Sequence, residues 1–545
     1  MICTDELSTP CAWISLGVFL ACILCVIMTP KIPILPRRRF CRKFLSCLLC
    51  KRKSKQNHVA LTSSDNVNVH SEMTASGTES HFYWITLSMA TVPIISLALL
   101  FILRCLSWDT FLIGIIGDEK IRPYGVIILF MSLSYICISL DITGLFEYIA
   151  KVIIRKSAGR GHALFIFFGL FASILTLFTS NDIVILTLTP ICCYLARNAD
   201  NLDLIPFVVS QFFLANVWSV AFQIGNPTNM IVAEAYKMNF LGYLLVMGLP
   251  AATAGIINFV MLYWMFFDRI PKQIVTSPNK REKQELSPEL KKKCEAMIKA
   301  IGLLLTLVLL TVASLRPLSD GKTIPSYLIC LAFGGLFFII DLIMDVIHIL
   351  HNSQHFSMHR FYHDKRTILV AIRMPWKIVP FVFGMFVMVE LLDSYGFVTL
   401  IASFLTDTIN FLSSTTSGTS FTSILAACFV ISILSTLTSN VLNNQPMTIL
   451  FTKILLNPAF IQNITLQKAS SLSLILGSNL GANVTLIGAL AGVMWVKILQ
   501  DNGITHQQMN YWKFLKYGCA VTPLALTGAT IIIAIEMLLE GASHN

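Results

Sequence analysis

The sequence predicts an all-α polytopic membrane protein: two inverted repeats with two re-entrant hairpins and two broken helices, among about ten full spans. Three observations carry that reading. Of 545 residues, 55% are hydrophobic and only 13% charged, with a mean hydropathy of +0.73; ordinary globular domains carry roughly a quarter charged residues. Apolar runs recur along the whole chain, at 12–28, 95–103, 298–315 and 529–539 among others, and about 20 apolar residues cross a bilayer. Finally, two short polar motifs lie inside such runs, and each occurs twice in the same order.

The elements follow from the N-terminus. Residues 1–30 hold the first span, and its exit leads to Lys51, Arg52, Lys53 and Lys55, a basic loop of the kind that stays cytoplasmic. The span count then sets both termini outside the cytoplasm. The exit reads as a stop-transfer pattern rather than a cleavage site. The insert 31–81 is basic and then polar without periodicity, which predicts a disordered cytoplasmic segment. Within it Cys41, Cys47 and Cys50 are candidates for palmitoylation. The first half, 82–267, gives spans near 83–104 and 123–140 and a basic amphipathic segment at 144–161 suited to the bilayer surface. It continues with a hairpin at 162–197, a broken helix at 205–239 and a span at 241–267. A charged linker, 268–296, joins the halves. The second half, 297–540, has spans near 297–315, 324–347 and 376–391 and an apolar stretch at 397–411. A hairpin at 421–456, a broken helix at 468–499 and a last span near 514–539 complete it.

The repeat rests on two matches. Thr179-Ser180-Asn181 reappears as Thr438-Ser439-Asn440, an offset of 440 − 181 = 259. Asn216 and Gly225 match Asn479 and Gly488 at an offset of 263. Irregular backbone at membrane depth survives only where it is buried in protein or lines a cavity. A polar tip between two arms too short to cross twice is therefore a hairpin, and Gly225 and Pro227 break the helix between them. Half-helix ends offer oriented carbonyls and N–H groups to cations and anions, and paired interruptions in two halves point to a transporter's binding site. The candidate residues are Thr179, Ser180, Asn181 and Asp182 on the first tip, with Gly225, Asn226, Pro227, Thr228 and Asn229 in the first break. Their counterparts are Thr438, Ser439, Asn440, Asn443 and Asn444 on the second tip, and Asn479, Gly481, Asn483 and Thr485 in the second break. Asp182 reads as a proton- or sodium-coupling carboxylate or as the cap of the returning arm.

Other features point away from competing classes. The net charge of +11 sits in a few loops, which membrane topology explains and nucleic-acid binding does not. Fifteen cysteines show no disulfide framework or metal quartet, and the Cys192–Cys193 pair reads as packing. His351, His355, His359 and His363 recur every fourth residue in a basic loop, as a solvated or headgroup-facing helix would have them. Glu390 reads as interfacial, and Glu536 as either a proton relay or a packed group. Asn463 opens an N-glycosylation sequon on the outer side. No Walker A loop and no catalytic dyad occur, so no enzymatic activity, cofactor or resident metal is expected.

Several stretches carry a resemblance. "LDITGLFEYIAKVIIRKSAGRGHALF", "TLFTSNDIVILTLTPI", "NVLNNQPMTIL" and "NLGANVTLIGALAGVMWVKIL" resemble the arsenical pump membrane subunit family, part of an ion-transporter superfamily that includes sodium/proton antiporters and sodium–dicarboxylate carriers. The resemblance spans roughly 82–275 and 297–540. It implies a secondary transporter, a homodimer in the lipid bilayer and a hairpin-bearing unit that moves as an elevator. The implied cargo is a small inorganic or anionic solute, foremost arsenite or antimonite and then related neutral hydroxides such as silicic acid, with Na+ or H+ as coupling ion. An external ATPase is a partner of some members. A sodium- or proton-coupled anion carrier, a sodium/proton antiporter and a passive channel are the alternatives. The plasma membrane is the expected location. Asn181 and Asp182 match the family's first tip, and Asn443, Asn444 and Pro446 its second. Asn483 and Leu486 stand where the family often has Lys and Pro, and "GNPTN" is closer to other superfamily branches.

Overall fold

A computed structural model describes residues 7, 9–28, 31–36, 82–199, 201–275, 293–315, 324–351, 365–413, 420–504 and 508–543. Residues 37–81 of the insert, with Cys41, Cys47 and Cys50, and His355 to His363 lie outside the described residues. Among the described residues nine helices are long and apolar enough to cross a membrane, and shorter apolar helices accompany them.

The N-terminal region departs from expectation in three ways. Helix α1 (Pro10–Met28) leads into β1 (Lys31–Pro36), which pairs antiparallel with β2 (Phe82–Thr86). The insert thus begins as a strand. In place of a span at 83–104 stands β2 followed by α2 (Thr91–Ile102). Pro33 and Pro36 deny β1 a helix, and Phe-Tyr-Trp-Ile-Thr is aromatic and β-branched throughout, favouring a strand. The 12 residues of α2 rise about 18 Å, short of a full crossing. Third, Cys11 is disulfide-bonded to Cys105; 94 residues separate them, so no local spacing announces the pair.

The first half continues through α3 (Trp108–Ile116), α4 (Pro123–Asp141) and the amphipathic α5 (Leu145–Lys156). Hairpin one is α6 (Gly161–Phe178) and α7 (Asn181–Asn198); the first broken helix is α8 (Ile205–Trp218) and α9 (Pro227–Ala235); α10 (Phe240–Phe266) closes the half. The second half repeats the order: α11 (Lys293–Leu315), α12 (Ser326–His351), α13 (Arg366–Arg373), α14 (Ile378–Ser394) and α15 (Phe397–Ser413). Hairpin two is α16 (Phe421–Leu442) and α17 (Asn444–Leu456), followed by the broken pair α18 (Ile464–Leu480) and α19 (Leu490–Asp501), then α20 (Tyr511–Ser543). The hairpins and broken helices pack with α10 and α20, while α3, α4, α11, α12, α13 and α14 form a framework beside them.

Buried charge ties that framework together. Lys299 and Asp341, each at most 1% exposed, pair at 2.7 Å, and Lys299 also meets Glu295 at 3.1 Å. Arg366 donates to Glu295 at 2.8 Å, and Asp345 accepts the Arg366 and Thr367 backbone amides, satisfying the N-terminus of α13 from another helix. Ser139 adds a 2.6 Å bond to Asp341.

A second charged group joins hairpin two to the framework. Lys453 of α17 lies 3.1 Å from Asp118 and 2.8 Å from Glu390, while Lys120 donates to the Leu456 carbonyl at 3.2 Å. Glu390 is therefore ion-paired at its helix end. Burial acts to raise the Asp118 pKa, but the Ile121 and Lys120 amides and the Lys453 ammonium outweigh it and hold the carboxyl below its ordinary value.

Two predictions follow from these charges. Lys299→Met leaves Asp341 buried and uncompensated, which costs about 3–5 kcal/mol; fluorescence-detected size exclusion should show a large drop in melting temperature, largely recovered in Lys299→Met/Asp341→Leu. Asp118 has a depressed folded pKa, so its contribution is present above the ordinary carboxylate pKa and is lost as pH falls through the depressed value. Melting temperature against pH should therefore decline on acidification, less steeply in Lys453→Met.

Candidate functional site

Each break in the backbone is sealed by asparagines. In the first, Asn226 caps α9 by accepting from the Thr228 amide at 3.2 Å. Asn229 donates to the Ser219 and Phe222 carbonyls at 2.7 and 3.0 Å, the groups the break leaves bare. Pro227 opens α9 at the position where its missing N–H costs nothing. In the second break Asn440 donates to the Gly481 carbonyl at 3.1 Å and accepts from the Thr485 hydroxyl. The Asn444 amide donates to the Gly488 carbonyl at 3.0 Å, and Asn443 reaches Ile487 at 3.3 Å. Asn443 turns hairpin two at φ +70° and ψ +151°, a backbone conformation that side-chain-bearing residues rarely adopt.

The two halves then bind each other. Asn479 accepts from Ser219 at 2.8 Å and from Asn226 at 2.9 Å, and donates to Asn229 at 2.7 Å. Its repeat counterpart Asn216 donates to Asn483 at 2.9 Å. Subtracting the offset, 483 − 263 = 220, so each asparagine crosses to nearly equivalent positions, 219 and 220, of the opposite half. On hairpin one, Asn181 donates to Asn216 at 2.9 Å and Thr179 bonds back to Leu175.

These contacts bring both tips and both breaks into one buried centre. Asn216, Thr228, Asn229, Asn479 and Asn483 are all 0% exposed, and Ser180, Ser439, Asn443 and Asn444 are buried too. Asp182 and Thr438 are half-buried, and among the described residues neither has a side-chain hydrogen bond to the network. The centre also includes residues outside the expected set. Ser219 and Asn216 belong to the network, and Asn216 was visible as the mate of Asn479. Gln223 and Gln445 have buried side-chain oxygens without partners, as does Thr228; neither glutamine is matched by a glutamine at the repeat offset, so the sequence carried no signal for them.

Four half-helices, α7, α9, α17 and α19, start at the tips and breaks, so their positive N-terminal ends point inward. No Lys, Arg or His occurs in 179–182, 216–229, 438–447 or 479–488. Beside the second break lies a mostly apolar cavity of about 380 Å³, lined by Leu486, Val496, Leu499, Tyr511 and Trp512 among others.

The family model described as "Citrate transporter" matches residues 81–476, which hold both hairpins and the first break. The chain belongs to the citrate transporter family. Among individual relatives, it is 27% identical over 379 residues to the arsenical pump membrane protein of Yersinia enterocolitica, covering 69% of this chain and 79% of that one. The arsenical pump membrane protein of Escherichia coli is 26% identical over 384 residues, at 69% and 79% coverage. The human P protein is 23% identical over 441 residues, covering 72% of this chain and 52% of that one. This citrate transporter family member is thus a multi-pass secondary transporter, and its buried amide centre lies at the paired interruptions of the two halves.

Glycine at 488 tests the packing of that centre. A Cβ there would lie 2.6 Å from the Gly481 carbonyl oxygen and 2.8 Å from Asn440 Oδ1. Gly488→Ala should destabilise by about 1–3 kcal/mol and remove most transport, whereas Gly335→Ala, which meets open space, should change neither melting temperature nor transport.

Proposed function

We propose that this family member exports neutral metalloid hydroxides of the arsenite and antimonite type, driven by an ion gradient or the membrane potential. The observation that carries the reading is the chemistry of the centre: amides, hydroxyls and helix ends, with no basic side chain in any of its four segments. Citrate, the solute in the family's description, is a trianion at neutral pH. Burying such charge without a cationic partner is costly, whereas a neutral trihydroxide needs only hydrogen bonds. The names of the arsenical pump relatives support the same cargo class. Asp182, in the first turn of α7, is the proposed coupling carboxylate for Na+ or H+.

The disulfide bears on orientation. Cys11 and Cys105 belong on an oxidising side of the membrane, and the Tyr395 hydroxyl donates to the Cys105 carbonyl at 2.8 Å. With Arg155, Lys156 and Arg269 assigned to the cytoplasm, the N-terminus of α1 and exposed Asn463, which caps α18, lie on the extracytoplasmic face.

Arsenite retained by expressing cells tests the cargo. Wild type should lower retention relative to vector, and Asn181→Ala/Asn440→Ala at matched surface level should cut efflux at least about tenfold, the equivalent of roughly 1.4 kcal/mol of lost interaction. Equal retention in both would remove arsenite and favour the sodium- or proton-coupled anion reading.

A further inference from the structure

The asparagine bonds around hairpin one form a directed chain. Asn181 Nδ2 donates to Asn216 Oδ1, Asn216 Nδ2 donates to Asn483 Oδ1, and Asn483 Nδ2 donates to the Phe213 carbonyl at 3.1 Å. Amide orientation is ordinarily ambiguous and must be settled from the bonding network. Here the network settles it, because a carbonyl can only accept. Phe213 therefore demands the NH2 of Asn483, whose oxygen then demands the NH2 of Asn216, whose oxygen demands the NH2 of Asn181. What remains is Asn181 Oδ1, in a side chain 2% exposed and without a partner. It lies at the N-terminus of the 18-residue helix α7, at the hairpin tip.

We infer that Asn216 and Asn483 are positioning residues of a three-amide relay, anchored on the Phe213 carbonyl, that makes hairpin one present an acceptor oxygen to the solute and so selects hydroxyl donors or a cation over oxyanions. This rests on the binding centre proposed above and deepens it. A freely rotating Asn181 would offer either its oxygen or its NH2 and would serve donors and anions alike. Pinned from three residues away, it offers only an acceptor. The relay also crosses the molecule: Asn181 and Asn216 belong to the first half and Asn483 to the second. The second half thereby sets the chemistry of the first hairpin. Asn440, the repeat counterpart of Asn181, has no such free end, since its amide donates to Thr436 and Gly481 and its oxygen accepts from Thr485.

Proteoliposomes holding the full-length protein provide the test, with arsenite as probe. Asn483→Leu cuts the relay and should raise KM about tenfold with kcat within about twofold, the size of one buried hydrogen bond. Asn483→Asp in its protonated form, favoured by burial and a mildly acidic assay, still accepts from Asn216 and donates to Phe213, and should keep KM within about threefold of wild type. Asn216→Leu/Asn483→Leu should be no worse than either single change, because both cut one chain. Equal losses in Asn483→Leu and Asn483→Asp, or additive losses in the double variant, would overturn the relay. If wild type moves no arsenite, the proposed cargo fails separately, and thermal stabilisation of the detergent-purified protein by arsenite, sodium chloride or sodium-free citrate decides the relay. Stabilisation by arsenite or sodium that needs about tenfold more ligand in Asn483→Leu supports it; stabilisation by citrate alone, by none of the three, or unchanged in Asn483→Leu overturns it.

Discussion

Everything else in this fold depends on how unpaired backbone is satisfied where the helices break. A broken helix exposes carbonyls and amides that lipid cannot solvate, each at a cost of several kcal/mol. Asn229 takes two carbonyls of the first break, and Asn440, Asn443 and the Asn444 amide serve the second. Asparagine suits this work because one short side chain carries both donor and acceptor. The bonds Asn479 makes to Ser219, Asn226 and Asn229 come from the opposite half. Each half thus satisfies its own broken backbone, and the side-chain centre that joins the halves forms only when the two repeats assemble.

Outside that centre, charge is kept at the ends of the framework. The Lys299–Asp341 pair and the Glu295–Arg366–Asp345 group hold α4, α11, α12 and α13 together, with every carboxylate matched by a cation or an amide. Lys453 is different in kind, because its partners Asp118 and Glu390 belong to the framework while it belongs to a hairpin. Any movement of hairpin two against the framework must break those contacts. The exposed pair Arg269–Asp203, by contrast, joins the turn after α10 to the segment before α8, both within the hairpin-bearing group.

The sequence spoke clearly wherever the physics was local or periodic. Apolar runs long enough to span, and polar motifs inside them, are one-dimensional signals, and the match of Asn216 with Asn479 even pointed to the residues that bind the halves together. The N-terminal region was less legible. A helix was expected at 83–104 because hydropathy cannot separate an aromatic strand such as Phe-Tyr-Trp-Ile-Thr from the start of a span. The Cys11–Cys105 bond depends on α1 and α2 lying side by side, which no spacing encodes. Gln223 and Gln445 were missed for a related reason: they are defined by burial without a partner, and burial is a property of the assembled centre.

The repeat is symmetric in backbone and asymmetric in side-chain bonding, and the asymmetry falls where chemistry is needed. Asn181 and Asn440 occupy equivalent tips, yet one keeps a free oxygen and the other spends every group it has. A saturated Asn440 can hold its break closed while its mate Asn181 offers an acceptor to a solute. Local rules are expected to be broken at functional sites and compensated nearby. Here the compensation for the unpaired oxygen of Asn181 is the relay behind it, whose two other amides and terminal carbonyl are fully bonded.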